Sequence, residues 1–225
     1  MKLGFVCACV AMVGLGAVQA ATYSDVSVDV SALPKEWRFV RDLVRSRIRA
    51  RTPPSERATL KVRFDLDRSL SGEKAVVTVA NGEAAVRGGR FRSLIFGAGV
   101  LLRTIRYGER SFELADGTYP FAPESAIRIA YFARHFDNWY LKAGADELRR
   151  YVDELALWGI NGFMMQLDYP AVDMVWSTEG DRAVFAATSV ALGERVHALD
   201  MDLMTFGGYT CPPYIDSDRM RRRAE

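Results

Sequence analysis

The sequence predicts an α+β N-terminal domain, a small sheet with helices on one face, followed by the first three βα units of a TIM (β/α)8 barrel. Three observations predict this fold class: an Asn-Gly turn between two short strands, helix-spaced apolar residues on both sides of that hairpin, and strand–helix alternation after residue 124. Of the 225 residues, 49% are hydrophobic and 26% are charged, so the chain can bury a core. The net charge of +2 gives no argument for a nucleic-acid partner.

The first 20 residues are typical of a secretory signal peptide. Lys2 makes the start positive, residues 3–18 form an uncharged apolar run, and Val18 and Ala20 occupy the positions that a signal peptidase reads. The alternative is a membrane anchor, but the run is shorter than the roughly 20 residues that a bilayer span needs. We expect cleavage after Ala20, a secreted or periplasmic protein, and no membrane association afterwards. Cleavage leaves Cys211 as the single cysteine, so no internal disulfide is expected.

Residues 25–123 are predicted to form the first unit, in the order helix, strand, hairpin, helix. Residues 60–64 alternate between apolar and polar, which is typical of a half-buried strand. Asn81-Gly82 is a strong hairpin-turn signal between strands at 75–79 and 83–86. The two helices are indicated by apolar residues at helical spacing: Trp37, Val40, Val44 and Ile48 for the first, and Leu94, Ile95, Ala98, Leu101, Leu102 and Ile105 for the second.

Residues 124–225 are predicted to form a second unit in which strands and helices alternate. Strands are expected at 127–132, 163–167 and 203–206, each apolar on both faces, as a parallel sheet wrapped by helices requires. One helix is expected between a cap at Asp146 and a terminating Gly159. A second buries Phe185, Leu192, Val196 and Leu199. Since a barrel needs about 250 residues, we expect this chain to be truncated within the barrel.

Candidate binding residues follow these strands, because ligands bind at the carboxyl ends of the strands of a βα barrel. Residues 133–140 combine two potential cations, a carboxylate, an amide and three aromatic rings. Sugars need this mixture, since their hydroxyls take hydrogen bonds and their C–H faces stack on rings. We therefore predict an oligosaccharide- or polysaccharide-binding site formed by Arg128, Arg134, His135, Asp137, Asn138, Trp139, Tyr140, Asp168 and Tyr209.

Each candidate after the strands also has a structural alternative. The histidine can be hydrogen-bonded within the fold, and the two adjacent aromatic residues can pack against the next helix instead of a ligand. The carboxylates and the amide can form turns or caps. These alternatives apply to His135, Asp137, Asn138, Trp139, Tyr140 and Asp168.

Arg128 lies inside the first predicted strand and has two possible roles. An unpaired charge there would be costly, so it is either a substrate anchor or half of a structural ion pair. His135 and His197 are the only histidines and lie on different elements. With one cysteine in the mature chain as well, no metal-site spacing appears, and no cofactor is expected.

Two stretches resemble known glycosidases. Residues 92–103, Arg-Ser-Leu-Ile-Phe-Gly-Ala-Gly-Val-Leu-Leu-Arg, are similar to a helix of the accessory domain that precedes the barrel in family-67 α-glucuronidases and family-20 β-hexosaminidases. Residues 135–138, His-Phe-Asp-Asn, resemble the segment that opens the α-glucuronidase barrel. Residues 133–136, Ala-Arg-His-Phe, resemble the stretch after the first barrel strand of hexosaminidases. The resemblance covers roughly residues 31–209.

The resemblance implies a secreted glycoside hydrolase whose accessory domain buttresses the barrel. Hydrolysis there uses two carboxyl groups, and in the resembled families these lie on later barrel strands, beyond Glu225. The fragment is therefore expected to be inactive, and the carry-over is limited to sugar contacts by His135, Asp137 and Asn138, with Arg128 two positions out of register. A non-catalytic carbohydrate-binding protein and another TIM-barrel enzyme are the alternatives.

Overall fold

A computed structural model of the chain describes residues 20–53, 58–132, 139–166 and 179–206. The strands are β1 (Ala20–Tyr23), β2 (Asp25–Asp29), β3 (Thr59–Leu66), β4 (Ala75–Ala80), β5 (Glu83–Gly88), β6 (Arg106–Tyr107), β7 (Phe112–Ala115), β8 (Gly117–Phe121), β9 (Ile129–Phe132), β10 (Gly162–Gln166) and β11 (Asp202–Phe206). The α-helices are α1 (Phe39–Arg49), α2 (Phe91–Thr104), α3 (Trp139–Lys142), α4 (Ala145–Leu157) and α5 (Glu179–Ala198).

The largest sheet has five strands in the order β2-β3-β5-β4-β8. Strand β3 runs parallel to both of its neighbours, whereas β4 is antiparallel to β5 and β8. Leu60, Val62 and Phe64 are buried at every second position of β3, as the alternation predicts. Asn81 and Gly82 have φ values of 52° and 81° in the turn between β4 and β5. The predicted strand and hairpin are therefore confirmed.

Helices α1 and α2 contact this sheet and each other, so they lie on one of its faces. Trp37 precedes α1 in a short 3-10 turn and stacks on Phe91 of α2, with ring centroids 4.9 Å apart. The other face of the sheet carries charged side chains such as Lys61 and Arg63. The residues that the spacing predicts are buried in the two helices, with Ile105 directly after the end of α2: Val40, Val44, Ile48, Leu94, Ile95, Ala98, Leu101, Leu102 and Ile105.

A second, three-stranded sheet in the order β1-β7-β6 was not predicted. Its strands are two to four residues long, too short for a clear alternation. Strand β1 pairs antiparallel with β7, starting with Ala20 opposite Ala115.

The third sheet consists of β9, β10 and β11, paired in parallel and in chain order. Helix α4 lies between the first two strands in the chain and α5 between the last two. The predicted strand–helix alternation is thus present, with β9 starting at Ile129 instead of Ile127. The predicted buried face of α5 is also present, since Phe185, Leu192, Val196 and Leu199 are buried.

The predicted C-terminal end of α4 is correct, but the predicted N-terminal cap is not. Gly159 has a φ of 95°, and the amide of Ile160 donates to the Leu155 carbonyl, so the glycine ends the helix as predicted. The predicted cap at Asp146 is wrong, because the cap position is Gly144 and Asp146 lies in the first turn. There its carboxylate accepts from Arg149 and complements the helix dipole.

One face of the third sheet is open within the described part of the chain. Register partners share a face, and Met164 lies opposite both Tyr131 and Met204. The side chains of Tyr131 and Met204 are 40% and 49% exposed. The expectation of apolar residues on both faces holds for these positions, but burial on both faces does not, since Tyr131 and Met204 keep a large part of their surface exposed.

Helix α2 approaches the first sheet closely at Gly97 and α4 of the second unit closely at Gly99. A Cβ on Gly97 would lie 2.6 Å from Val86 Cγ1 in the first sheet. A Cβ on Gly99 would collide with the carbonyl oxygen of Leu157, the last residue of α4. That carbonyl also accepts a 2.6 Å hydrogen bond from Arg103 Nη1. The glycines therefore allow one continuous core to extend through both units.

Candidate functional site

The candidate site lies at the carboxyl ends of β9, β10 and β11. The register places Phe132 beside Met165, and Gln166 beside Phe206, so the three strands end at one edge. Of the nine predicted site residues, the structure describes Arg128, Trp139 and Tyr140. The other six lie outside the described residues: Arg134, His135, Asp137, Asn138, Asp168 and Tyr209.

An aromatic cluster occupies this edge. Phe132, at the end of β9, lies 5.0 Å from Tyr140 and 5.1 Å from Phe163 of β10, measured between ring centroids. The ring of Tyr151 on α4 lies 5.2 Å from that of Trp139. Edge and tilted contacts of this kind favour a fixed ring arrangement. Strand β9, helix α3 and helix α4 thus hold the cluster together.

Two polar contacts orient the cluster. Trp139 Nε1 donates to Glu147 Oε1 at 3.1 Å, and the hydroxyls of Tyr140 and Tyr151 lie 3.2 Å apart. Burial, with a smaller effect from the neighbouring Tyr140 hydroxyl, raises the pKa of Tyr151 to about 12. The Tyr151 phenol therefore stays protonated at neutral pH and can serve as a hydrogen-bond donor.

The structural alternative for Trp139 and Tyr140 is realised, since both pack against α4. Trp139 nevertheless keeps 40% of its surface exposed, at the edge where the strands end. An exposed indole with a fixed orientation can stack against the apolar face of a ring-shaped ligand. The cluster can thus combine an aromatic surface with the acceptor Glu147, a partner that sequence reasoning missed.

Arg128 lies at the opposite, amino-terminal end of β9, one residue before the strand begins. Its Nη2 is 2.5 Å from Glu73 Oε2, its Nε donates to the Gly159 carbonyl, and its Nη1 donates to the Ser125 carbonyl. The guanidinium also lies over the ring of Phe96, 5.3 Å from its centroid. Of the two roles that the sequence leaves open, these contacts are those of the structural ion pair.

No group of three histidine, cysteine, aspartate or glutamate residues able to hold a metal ion is present in the described ranges. In the same ranges, none of the helices is both long and apolar enough to span a bilayer. The residues that sequence reasoning missed at the site are Glu147, Tyr151 and Phe163. Tyr151 lies on α4, and nothing in the sequence indicates its pairing with Tyr140.

The described geometry is similar to that of solved glycoside hydrolases. The family-20 β-N-acetylhexosaminidase of Streptomyces coelicolor A3(2) superimposes with a TM-score of 0.57 at 18% sequence identity, over 84% of this chain and 43% of that one. The Streptomyces plicatus N-acetyl-β-hexosaminidase, in complex with Thio-NAglucal, gives 0.57 at 18% identity, over 87% and 44%. A Vibrio harveyi family-20 exo-β-N-acetylglucosaminidase, in complex with N-acetylglucosamine, gives 0.50 at 15%, over 66% and 23%.

These likenesses are structural only. No protein-family model and no curated protein matches the sequence. The chain spans between 23% and 44% of the length of the three solved structures. At identities of 15–18% the comparison establishes the fold and no more. The chain therefore has a mixed α/β fold like that of part of a family-20 β-hexosaminidase.

Proposed function

We propose that this chain is the N-terminal portion of a glycoside hydrolase that degrades oligosaccharides or polysaccharides. The observation that carries the proposal is the fold likeness to family-20 enzymes, which extends over 84–87% of this chain in the Streptomyces structures. Both units contribute to that coverage, so the proposal does not depend on one common supersecondary motif. The family-67 resemblance of residues 135–138 adds an α-glucuronidase-like substrate as the alternative within the same class.

In this proposal β9, β10 and β11 are the first three strands of a TIM barrel. Their parallel pairing in chain order, with helices in between, supports it. The open row of Tyr131, Met164 and Met204 then belongs to the inner wall, where further strands would cover it. The units are residues 25–123, the accessory domain, and residues 124–225, the barrel portion, after a signal peptide at residues 1–20 that directs export.

The aromatic cluster is the proposed sugar-binding edge. Trp139 supplies the stacking surface, and Glu147 holds the indole in place through Nε1. His135, Asp137 and Asn138 lie in the sequence between Phe132 and Trp139 and would supply hydrogen bonds to hydroxyls. The two carboxyl groups required for hydrolysis would come from later strands, beyond Glu225, so the 225-residue chain binds sugar without cleaving it.

The proposal is tested by sugar binding to the chain from residue 21 onward. N-acetylglucosamine oligomers and glucuronic-acid-containing oligomers are titrated into the chain by isothermal calorimetry. We expect saturable binding of one sugar class and no release of product from a chromogenic β-N-acetylglucosaminide. Trp139→Ala should weaken binding about tenfold. Trp158→Ala is the matched control, because Trp158 is 66% exposed at the far end of α4.

Hydrolysis by the 225-residue chain would contradict the proposed absence of catalytic carboxyl groups. Absence of binding to either sugar class, in a chain whose melting shows it to be folded, would contradict the carbohydrate site. The alternative, a non-catalytic carbohydrate-binding protein, rests on the half-exposed ring of Trp139. It predicts the same binding but with micromolar or tighter affinity for the chain alone, about 8 kcal/mol or more.

A further inference from the structure

A buried polar cluster joins the first unit to the start of each parallel strand. Glu73 lies in the loop before β4, and its two carboxylate oxygens contact three side chains. Arg92 Nε, in the first turn of α2, is 2.9 Å from Oε1, and Arg128 Nη2 is 2.5 Å from Oε2. Asn161 Nδ2 lies 3.2 Å and 3.1 Å from the same two oxygens.

Two partners of Glu73 and one partner of Arg92 lie at equivalent places in the second unit. Arg128 directly precedes β9, Asn161 directly precedes β10, and Asp202 is the first residue of β11. Arg92 Nη1 extends the cluster to Asp202 Oδ2 at 3.2 Å. One loop and one helix turn of the first unit therefore contact the amino ends of all three strands.

Backbone hydrogen bonds pass through the same residues. Asn161 Oδ1 accepts from the amide of Arg128, and the amide of Asn161 donates to the Arg128 carbonyl, both at 2.9 Å. The Asn161 carbonyl accepts from the amide of Asp202 at 3.0 Å. The side chain that Glu73 orients is thus the one that links neighbouring strands at their first residues.

The centre of the cluster is shielded from water, although the Asp202 side chain at its edge is 68% exposed. The side chains of Glu73, Arg92 and Arg128 are 14%, 12% and 16% exposed. Glu73 is the shared carboxylate between two guanidinium groups, and Asn161 as a residue is 3% exposed. Loss of the carboxylate would leave two poorly hydrated cations facing each other.

We infer that Glu73 is a positioning residue through which the first unit fixes the alignment of β9, β10 and β11. Alignment matters because a shift of one residue turns every side chain of a strand to the opposite face. Tyr131 and Phe132 at the far end of β9 would then exchange faces. The inference concerns strand alignment only, so it stands or falls independently of the proposed carbohydrate chemistry.

Hydrogen exchange of Glu73→Gln in the chain from residue 21 onward tests the inference. Amides of β9, β10 and β11 should exchange about 100-fold faster along their whole length, while β3 and β5 keep their protection. Glu83→Gln is the matched control, because Glu83 lies on β5 with 63% of its side chain exposed, 3.6 Å from Lys61. This control should leave all strands unchanged.

Two results would overturn the inference. One is faster exchange confined to residues 67–74 and the start of α2, which a purely local role predicts. The other is an equal loss of protection in β3, β5 and the parallel strands. If Glu73→Gln does not fold, Arg128→Lys is judged by the same pattern, since it keeps the charge but loses the guanidinium geometry. It should accelerate exchange in the parallel strands by about tenfold.

Discussion

The five-stranded sheet and the parallel sheet differ in the residues that they expose to solvent. The five-stranded sheet buries one face under α1 and α2 and presents charged residues such as Lys61 and Arg63 on the other. The parallel sheet buries Phe163 and Met165 but leaves Tyr131 and Met204 exposed. A mixed sheet such as the first can leave one face to solvent, whereas an all-parallel sheet needs cover on both faces. The first sheet thus exposes charged residues on its open face, and the parallel sheet exposes apolar ones.

The largest expected change in stability comes from adding a side chain at Gly99, where α2 contacts the end of α4. Gly99→Ala should lower the free energy of unfolding by about 3 kcal/mol, because the added methyl group meets the backbone of Leu157. Gly193→Ala is the matched control inside α5, where the nearest atom, Leu203 Cδ2, is 3.7 Å away. That substitution should stabilise the chain by about 0.5–1 kcal/mol. Urea denaturation of both variants checks the pair.

Equal effects of the two glycine substitutions would contradict the close approach of α2 and α4. A loss of stability seen only in the second unit would show that the first unit retains its fold when the contact between them is broken. That result would sharpen the comparison, because it would identify the self-sufficient half directly.

A smaller effect is expected at the ion pair between α4 and α5, where Asp153 Oδ1 lies 2.6 Å from Arg195 Nε. Burial raises the pKa of Asp153 above its ordinary value of 3.8, although Arg195 opposes the shift. The folded chain therefore binds this proton more tightly than the unfolded chain. The stability that the group contributes is present below the unfolded pKa and is lost as the pH rises through the folded pKa.

Asp153→Asn removes this titration but keeps an oxygen for Arg195. At about pH 7 the variant should lie within about 1 kcal/mol of the natural chain. The natural chain should gain relative to the variant as the pH falls towards about 4. Urea denaturation at both pH values measures the difference. A relative gain with rising pH would show that the pair with Arg195 outweighs the cost of burial.

The smallest expected change in stability comes from a substitution on the open face of the parallel sheet, the face of Tyr131, Met164 and Met204. Met204→Gln should change the free energy of unfolding by less than about 0.5 kcal/mol, because 49% of the side chain is already exposed. Met165→Gln, on the covered face, should cost about 2 kcal/mol or more, since this methionine is 2% exposed. Thermal melting compares the two. Equal costs would mean that a partner covers Met204 in solution.

The sequence allowed prediction of elements whose signals are local. The Asn81-Gly82 turn, the apolar stripe of α2 and the terminating Gly159 each depend on residues within one or two helical turns. Strands β1, β6 and β7 could not be found this way. They are short, and β1 pairs with a partner more than 90 residues along the chain.

In the candidate site, too, the positions of residues along the chain were predictable, but their contacts with distant residues were not. The position of Trp139 and Tyr140 after the first parallel strand follows from strand–helix alternation. Their contacts with Glu147 and Tyr151 depend on how α4 turns back along the sheet. The choice between two roles for Arg128 required Glu73, which lies 55 residues earlier in the chain. No local pattern in the sequence marks these two side chains as an ion pair.

Gly97 and Gly99 of α2 restrict which structural units can pack against this helix. Val86 packs against Gly97, and the Leu157 carbonyl packs against Gly99. Helix α2 therefore has one surface that fits the first sheet and another that fits the end of α4. A different partner for α2 would have to supply a helix whose last carbonyl lies where that of Leu157 does. Exchange of modules at this boundary is therefore restricted to donors that share the geometry of α4.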